Sequence, residues 1–195
     1  MTSKFQNDFQ IPLNTEILAA LSFGEKSVRR LSGLKTYYLN VDKAELILQK
    51  DDPVVYETWQ MEYDLDGRGL SIGTTKIFPG NVGGEFFFTR GHFHAAGKGD
   101  ETYIPLTGAG ILALATKDGK SKVVELKPGN LIYVPGHLAH RTVNTGDEPL
   151  TFLSIWAPDI DHDYDTVTKL GFPELFFQSD EGYRVVKNPK FTLSG

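Results

Sequence analysis

The chain has 195 residues, 40% of them apolar and 23% charged, the balance of a soluble globular protein with one full core. Lys and Arg number 20 against 25 Asp and Glu, and the net charge of -5 favours neither nucleic acid nor an anionic membrane face, so an anionic ligand would need a local site. The lack of cysteine excludes disulfides and thiolate metal sites; with no apolar run near the ~20 residues of a membrane span and no signal-peptide layout, a soluble cytoplasmic protein is the default expectation.

In chain order, residues 1–50 read as an N-terminal arm that packs on the core or on a partner subunit. Ser27 to Leu34 is basic and lacks clean alternation. Val41 to Lys50 reads as a short helix, capped by Asp42, with Ala44, Leu46 and Ile47 as its apolar side; Pro53 forbids its continuation. From Val54 the period changes to that of strands. Segments Val54–Trp59, Leu70–Phe78, Glu85–Thr89, Thr102–Leu106 and Gly110–Ala115 read as short strands, with turns at Asp66-Gly67 and Pro79-Gly80. Asp118-Gly119 is the best hairpin signal, followed by strands at Val123–Leu126, Leu131–Val134, Arg141–Val143 and Leu150–Ile155. The tail adds a helix over Tyr164–Leu170 and short strands around Phe176 and Val185. Many aromatic residues, many glycines and short punctuated strands predict a closed or sandwiched β architecture. The expected organisation is one domain over 1–195, with a β core over 51–160 and a C-terminal segment, 161–195, packed on it.

The five histidines are His92, His94, His137, His140 and His162, so none lies in the first 91 residues. On a strand, His92 and His94 share a face and can chelate one ion, while Phe93 turns the other way into a core. Glu101 follows a loop containing Gly97 and Gly99, and His140 follows Gly129 to Pro135. His137 is read as structural or as a support behind the ligands.

These segments resemble the two signature motifs of the cupin superfamily. His92, His94, Glu101 and Gly108 match the first; Gly129, Pro135, His140 and Asn144 match the second. Six residues separate His94 from Glu101, more than the usual three or four, and His137 stands where a glycine is common. The resemblance implies a mainly β cupin double-stranded β-helix, or jelly roll, with a few short peripheral helices. It also implies one divalent metal held by His92, His94, Glu101 and His140. Three imidazoles and a carboxylate suit Fe(II), the first candidate, and also Mn(II), Ni(II) or Zn(II).

Further segments resemble the cupin-type phosphoglucose isomerases. They are Lys26–Ser32, Asp52–Glu57, Glu85–His94, Ala139–Asn144 with Gly146–Pro149, and His162–Tyr164. The resemblance covers nearly the whole chain after about residue 25, including the long loop before Glu101. It implies a homodimer with one metal per subunit that interconverts glucose 6-phosphate and fructose 6-phosphate. It places the phosphate on Tyr56, Thr75, Thr89 and Gly91, with the C-terminal strand contributing Trp156 where the family often has tyrosine. An indole can donate one hydrogen bond but accept none.

The residue types fit such a ligand. Phosphate oxygens need hydroxyls and backbone N–H groups, and glycine lets backbone approach closely. Alternation puts Thr89 and Gly91 on one side and turns Arg90 toward solvent or a carboxylate. Glu101 is the candidate base for an enediol route, or manages hydroxyl protons in a metal-assisted hydride shift. Tyr103, on the same face, supports Glu101 or a sugar hydroxyl. His162 and Tyr164 close over the pocket, with His162 a candidate acid or base for ring opening. The ligand set alone also allows an Fe(II) dioxygenase or a non-catalytic sugar-binding cupin.

Overall fold

The computed structural model describes residues 25–63, 69–95, 99–158 and 160–192. Residues 1–24 of the arm and the Asp66-Gly67 turn lie outside the described residues. The strands are β1 (Glu25–Arg30), β2 (Val54–Tyr63), β3 (Leu70–Ile77), β4 (Asn81–Val82), β5 (Glu85–Phe86), β6 (Phe93–His94), β7 (Glu101–Thr107) and β8 (Gly110–Ala115). They continue with β9 (Ser121–Leu126), β10 (Ile132–Val134), β11 (Ala139–Asn144), β12 (Leu150–Trp156), β13 (His162–Asp163), β14 (Glu174–Ser179) and β15 (Gly182–Lys187). Among the described residues there are also two helices, α1 (Val41–Leu48) and α2 (Tyr164–Leu170), and 3-10 turns at Leu31–Gly33 and Lys35–Tyr37. The molecule is mainly β and cupin-like, as the sequence suggested.

A six-stranded sheet in the order β1-β2-β3-β12-β7-β10 and a three-stranded sheet in the order β11-β8-β9 share one apolar core. Ile77, Leu150, Phe152 and Ile132 come from the first sheet; Leu112, Leu114, Val143 and Leu126 come from the second. Every residue of β8 is buried, which its run of Gly, Ile, Leu and Ala permits. The β8–β9 hairpin closes around Asp118-Gly119, where Thr116 N–H donates to the Lys120 carbonyl at 2.9 Å and Gly119 N–H to the Thr116 carbonyl at 3.1 Å. A smaller sheet, β15-β14-β5-β4, flanks this core.

Three local expectations need correction. The segment read as basic and irregular begins with a strand, β1, which pairs antiparallel with β2 at the sheet edge. An edge strand facing water on most sides carries Lys, Ser and Arg without alternation. Helix α1 is capped by Asn40, whose Oδ1 accepts from Lys43 N–H at 3.0 Å, and not by Asp42. Asp42 lies in the first turn, where a carboxylate suits the helix dipole. Its buried side is Ala44, Ile47 and Leu48, spaced three and four apart, while Leu46 is 52% exposed. Among the described residues, no helix is long and apolar enough to cross a membrane.

Candidate metal centre and ligand cavity

The segment leading into the histidine pair is not a regular strand. Phe88 bridges Val143, Thr89 N–H donates to the Thr142 carbonyl at 2.9 Å, and His92 bridges His140. Between those pairings, Arg90 and Gly91 face the single residue Arg141. This is a β-bulge, with Gly91 at φ +74°. A Cβ there would stand 2.8 Å from the His140 carbonyl oxygen and 2.8 Å from the Phe172 ring, so glycine is required twice over. The extra residue switches the side-chain parity. In an unbroken strand, Thr89 and Gly91 would face away from His92 and His94. Here Thr89, Gly91 and His92 all line one cavity.

His92, His94, Glu101 and His140 come together with one ligand atom from each, all within 4.8 Å of one another. β6 supplies His94, β11 supplies His140, and β7 starts on Glu101, which pairs with Val134 and Trp156. Glu101 Oε2 lies 3.4 Å from His94 Nε2 and 3.2 Å from His140 Nε2. None of these contacts has the alignment of a hydrogen bond. His92 Nε2, His94 Nε2, His140 Nε2 and Glu101 Oε2 are all buried without a partner. Four orphaned polar atoms at one point would be costly in an apolar interior, and a divalent cation satisfies all four.

The opposite ring nitrogens support the same fit. His94 Nδ1 meets the Gly99 carbonyl at 2.5 Å and His140 Nδ1 meets the Leu138 carbonyl at 3.3 Å. A ring that donates from Nδ1 keeps its Nε2 lone pair for a metal. The unusually long loop before Glu101 therefore ends on a group that orients His94. Asp100 ties the same loop to the β10–β11 connection by accepting from Gly136 N–H at 3.0 Å.

Burial, then the neighbouring His140, His162 and His94, hold the His92 pKa well below its ordinary value and keep that ring neutral. Burial pushes the Glu101 carboxyl up, but the His140 and His94 imidazoles outweigh it and bring the group to about 2. Burial likewise works against charge on His94, yet Glu101 and the Gly99 carbonyl hold its pKa up. The cluster thus pairs an ionised carboxylate with imidazoles that share its field.

The cavity beside this cluster has a volume of about 130 Å³. Strand register arranges its inner wall in rows. Thr58, Thr75 and Phe152 lie side by side, then Gln60, Gly73, Ser154 and Tyr103, then Trp156 beside Glu101. Tyr56, Thr75, Thr89, Gly91, Trp156, Tyr164, Tyr103 and His162, the remaining residues singled out from the sequence, all line this cavity. His162 pairs with His94 between β13 and β6, and its ring centre is 4.1 Å from that of His92. Burial, followed by a smaller opposing effect from Glu101 and then by His94 and His140, lowers its pKa. Tyr103 stacks on Phe152 with ring centres 4.7 Å apart.

Thr58, Gln60, Gly73 and Ser154 also line the cavity and were not singled out from the sequence. Their signal was there, since each is two residues along a strand from another wall residue. Gly73 makes room for Trp156: a Cβ would lie 2.9 Å from the indole ring. Trp156 itself pairs with Ser71, four residues along β3 from Thr75, and its ring leans back over Gly73.

Two hydroxyls at the far end are oriented by the bulge. Thr89 Oγ1 accepts from Thr142 N–H at 3.0 Å, and Tyr56 Oη accepts from Arg90 N–H at 3.5 Å. Each is left with its own proton to donate. Arg90 turns neither to open solvent nor to a carboxylate. Its guanidinium lies over the Tyr164 ring at 4.7 Å and the Tyr37 ring at 5.5 Å, and donates to Thr168 Oγ1 at 3.0 Å. His137 is exposed and stands outside the cavity wall.

Comparison with known proteins places this geometry in context. A family model described as glucose-6-phosphate isomerase matches residues 28–190. The chain is 43% identical over 167 residues to a glucose-6-phosphate isomerase of Pyrococcus horikoshii, covering 86% of this chain and 88% of that protein. It is 37% identical over 190 residues to one from Thermococcus litoralis, covering 97% of this chain and all of the other. Among solved structures, an oxalate decarboxylase from Bacillus subtilis superposes with a TM-score of 0.44 at 22% identity, over 53% of this chain and 26% of that one.

Proposed function

The chain belongs to the glucose-6-phosphate isomerase family, and from that premise we propose that it interconverts glucose 6-phosphate and fructose 6-phosphate with a divalent metal ion in its cavity. The observation that carries the proposal is that one cavity holds two opposite kinds of site. Four unpartnered lone pairs converge at one end, and hydroxyl protons stand free at the other. A sugar phosphate brings hydroxyl and carbonyl oxygens to the first and a phosphate to the second.

His92, His94, Glu101 and His140 would hold the ion, with Fe(II) the first candidate and Mn(II), Ni(II) or Zn(II) the others. When bound, it supplies a Lewis acid that polarises the sugar carbonyl. Tyr56, Thr75, Thr89 and the Gly91 N–H take the phosphate. Thr75 sits four residues along the strands from the Glu101 row, roughly 13 Å of backbone, which side chains reaching inward shorten to the length of a small extended molecule.

Glu101 is the base in this reading. One oxygen belongs to the convergent set, and the other takes the C2 proton and returns it to C1 through a cis-enediol. Tyr103, on the same strand face, orients Glu101 or a sugar hydroxyl. His162, neutral and seated over His92, exchanges the proton needed to open the sugar ring. Tyr164 lies beside it, with the hydroxyl 3.5 Å from His162 Nδ1, and closes the cavity with Trp156. The wider expectation is a cytoplasmic homodimer serving glycolysis and gluconeogenesis.

A coupled assay tests the activity. Fructose 6-phosphate should be converted to glucose 6-phosphate without oxygen uptake, and in heavy water the product should carry solvent deuterium at C2. Oxygen consumption would point to a dioxygenase, and binding without turnover to a non-catalytic sugar-binding protein. Turnover with no deuterium incorporated would favour a hydride shift, or an enediol whose proton Glu101 returns shielded from solvent.

A further inference from the structure

Arg141 is a buried cation that the reaction does not use. It is 4% exposed, lies between the Phe88 and Phe172 rings at 4.4 and 4.3 Å, and forms no ion pair within 4 Å among the described residues. Glu85, the buried carboxylate of the same region, instead accepts from Leu39 N–H at 2.8 Å. Burying a guanidinium without a direct counter-charge is costly, so its hydrogen bonds identify what it is there for. Among the described residues, both hydrogen bonds of its side chain go to one atom. Nε and Nη2 donate to the Arg90 carbonyl oxygen at 3.3 and 3.0 Å.

That carbonyl lies in the bulge. The extra residue breaks the ladder between residues 89–92 and β11, and a bulge leaves backbone groups without their usual partners. Arg141, the one residue facing the two bulged ones, fills the gap with its own side chain. A trans peptide is planar, and its C=O and N–H point in opposite directions. Fixing the Arg90 carbonyl on Arg141 therefore fixes the Gly91 N–H on the opposite side. Gly91 lines the cavity, and its N–H forms no hydrogen bond among the described residues. The peptide is also polarised, because its oxygen faces a charge-assisted donor pair.

We propose that Arg141 is a positioning residue for the phosphate: by gripping the Arg90 carbonyl it aims and strengthens the Gly91 N–H that the phosphate meets. This rests on the reading above that the phosphate binds at the Gly91 end. Arg141 touches neither substrate nor metal; it acts through one peptide unit.

The test uses the zinc-loaded full-length protein, with Arg141→Met and Arg141→Lys. Measured quantities are KM and kcat for fructose 6-phosphate, the inhibition constant of inorganic phosphate, that of sorbitol as an unphosphorylated competitor, and zinc per chain. Arg141→Met should raise KM and the phosphate constant about tenfold or more. Zinc content and the sorbitol constant should stay within twofold, and Arg141→Lys should recover part of the loss. An unchanged phosphate constant overturns the proposal, as does an equal rise for sorbitol or loss of zinc.

Should the variants not fold, amide spectra of the wild type decide. Titrating phosphate should shift the Gly91 N–H and the Arg141 Nε–H together. A Gly91 shift without an Arg141 shift sinks the role of Arg141 and leaves the phosphate site standing. No Gly91 shift in a protein that still turns over sinks the phosphate site itself.

Discussion

The two ends of the cavity differ in which half of a hydrogen bond they leave open. At the metal end, Nε2 of three histidines and Oε2 of Glu101 are acceptors with no donor. At the other end, Tyr56 Oη and Thr89 Oγ1 each accept one N–H, from Arg90 and Thr142, and keep their protons to donate. The first end offers what a cation needs and the second what an anion needs, though the net charge of the chain is negative. On the proposed function, local orientation of polar groups and not overall charge would set the ligand.

Damage to the two ends should therefore look different. His140→Ala, at the cation end, should lose metal and turnover together, with turnover falling to the assay background; elemental analysis beside the coupled assay checks it. Retained metal with retained activity would remove His140 from the ligand set. Glu101→Gln should keep the fold and part of the metal while kcat falls about a thousandfold. Near wild-type kcat would assign the proton to another group.

At the anion end, Tyr56→Phe should raise KM about tenfold with kcat and metal content nearly unchanged, the loss of one hydrogen bond to a charged group. A fall in kcat with KM unchanged would contradict the assignment of Tyr56 to phosphate. In between, Gly73→Ala drives a Cβ into Trp156 and should destabilise the fold by about 1–3 kcal/mol, read from urea unfolding.

Outside the cavity the contrast should be with stability alone. Burial lifts the Glu85 carboxyl from 4.5 to about 7, only partly offset by the Leu39 N–H, Arg141 and Lys190. Between those values the folded chain holds a proton that the unfolded chain has released, so stability falls as pH rises through that window, by about 3 kcal/mol at most. Glu85→Gln should flatten that decline in unfolding midpoints from pH 5 to 8, with metal content unchanged. Parallel curves for the two proteins would show that Glu85 ionises normally.

Much of this was legible in the sequence. Apart from β1, the strands of the six-stranded sheet followed from alternation and turn residues, and helix α2 spans the residues its pattern marked. The cluster that could hold a metal was readable because His92, His94, Glu101 and His140 carry their chemistry in their identities. What was not legible was the parity between Thr89 and the histidines. Counted along a regular strand, Thr89 and Gly91 face away from His92 and His94, and only the bulge at Arg90-Gly91 brings them to one wall. A bulge is a property of pairing with β11, 50 residues away, and leaves no local mark beyond one glycine. Arg141 was hidden for the same reason. Beside His140 it reads as an ordinary strand residue until its partner carbonyl is seen.

The most direct test is a titration of divalent metal into chelated protein, following bound ion per chain and conversion of fructose 6-phosphate in the same samples. Both should rise together and break at one ion per chain. Full turnover before any ion has bound, or saturation of the site without turnover, would contradict the account.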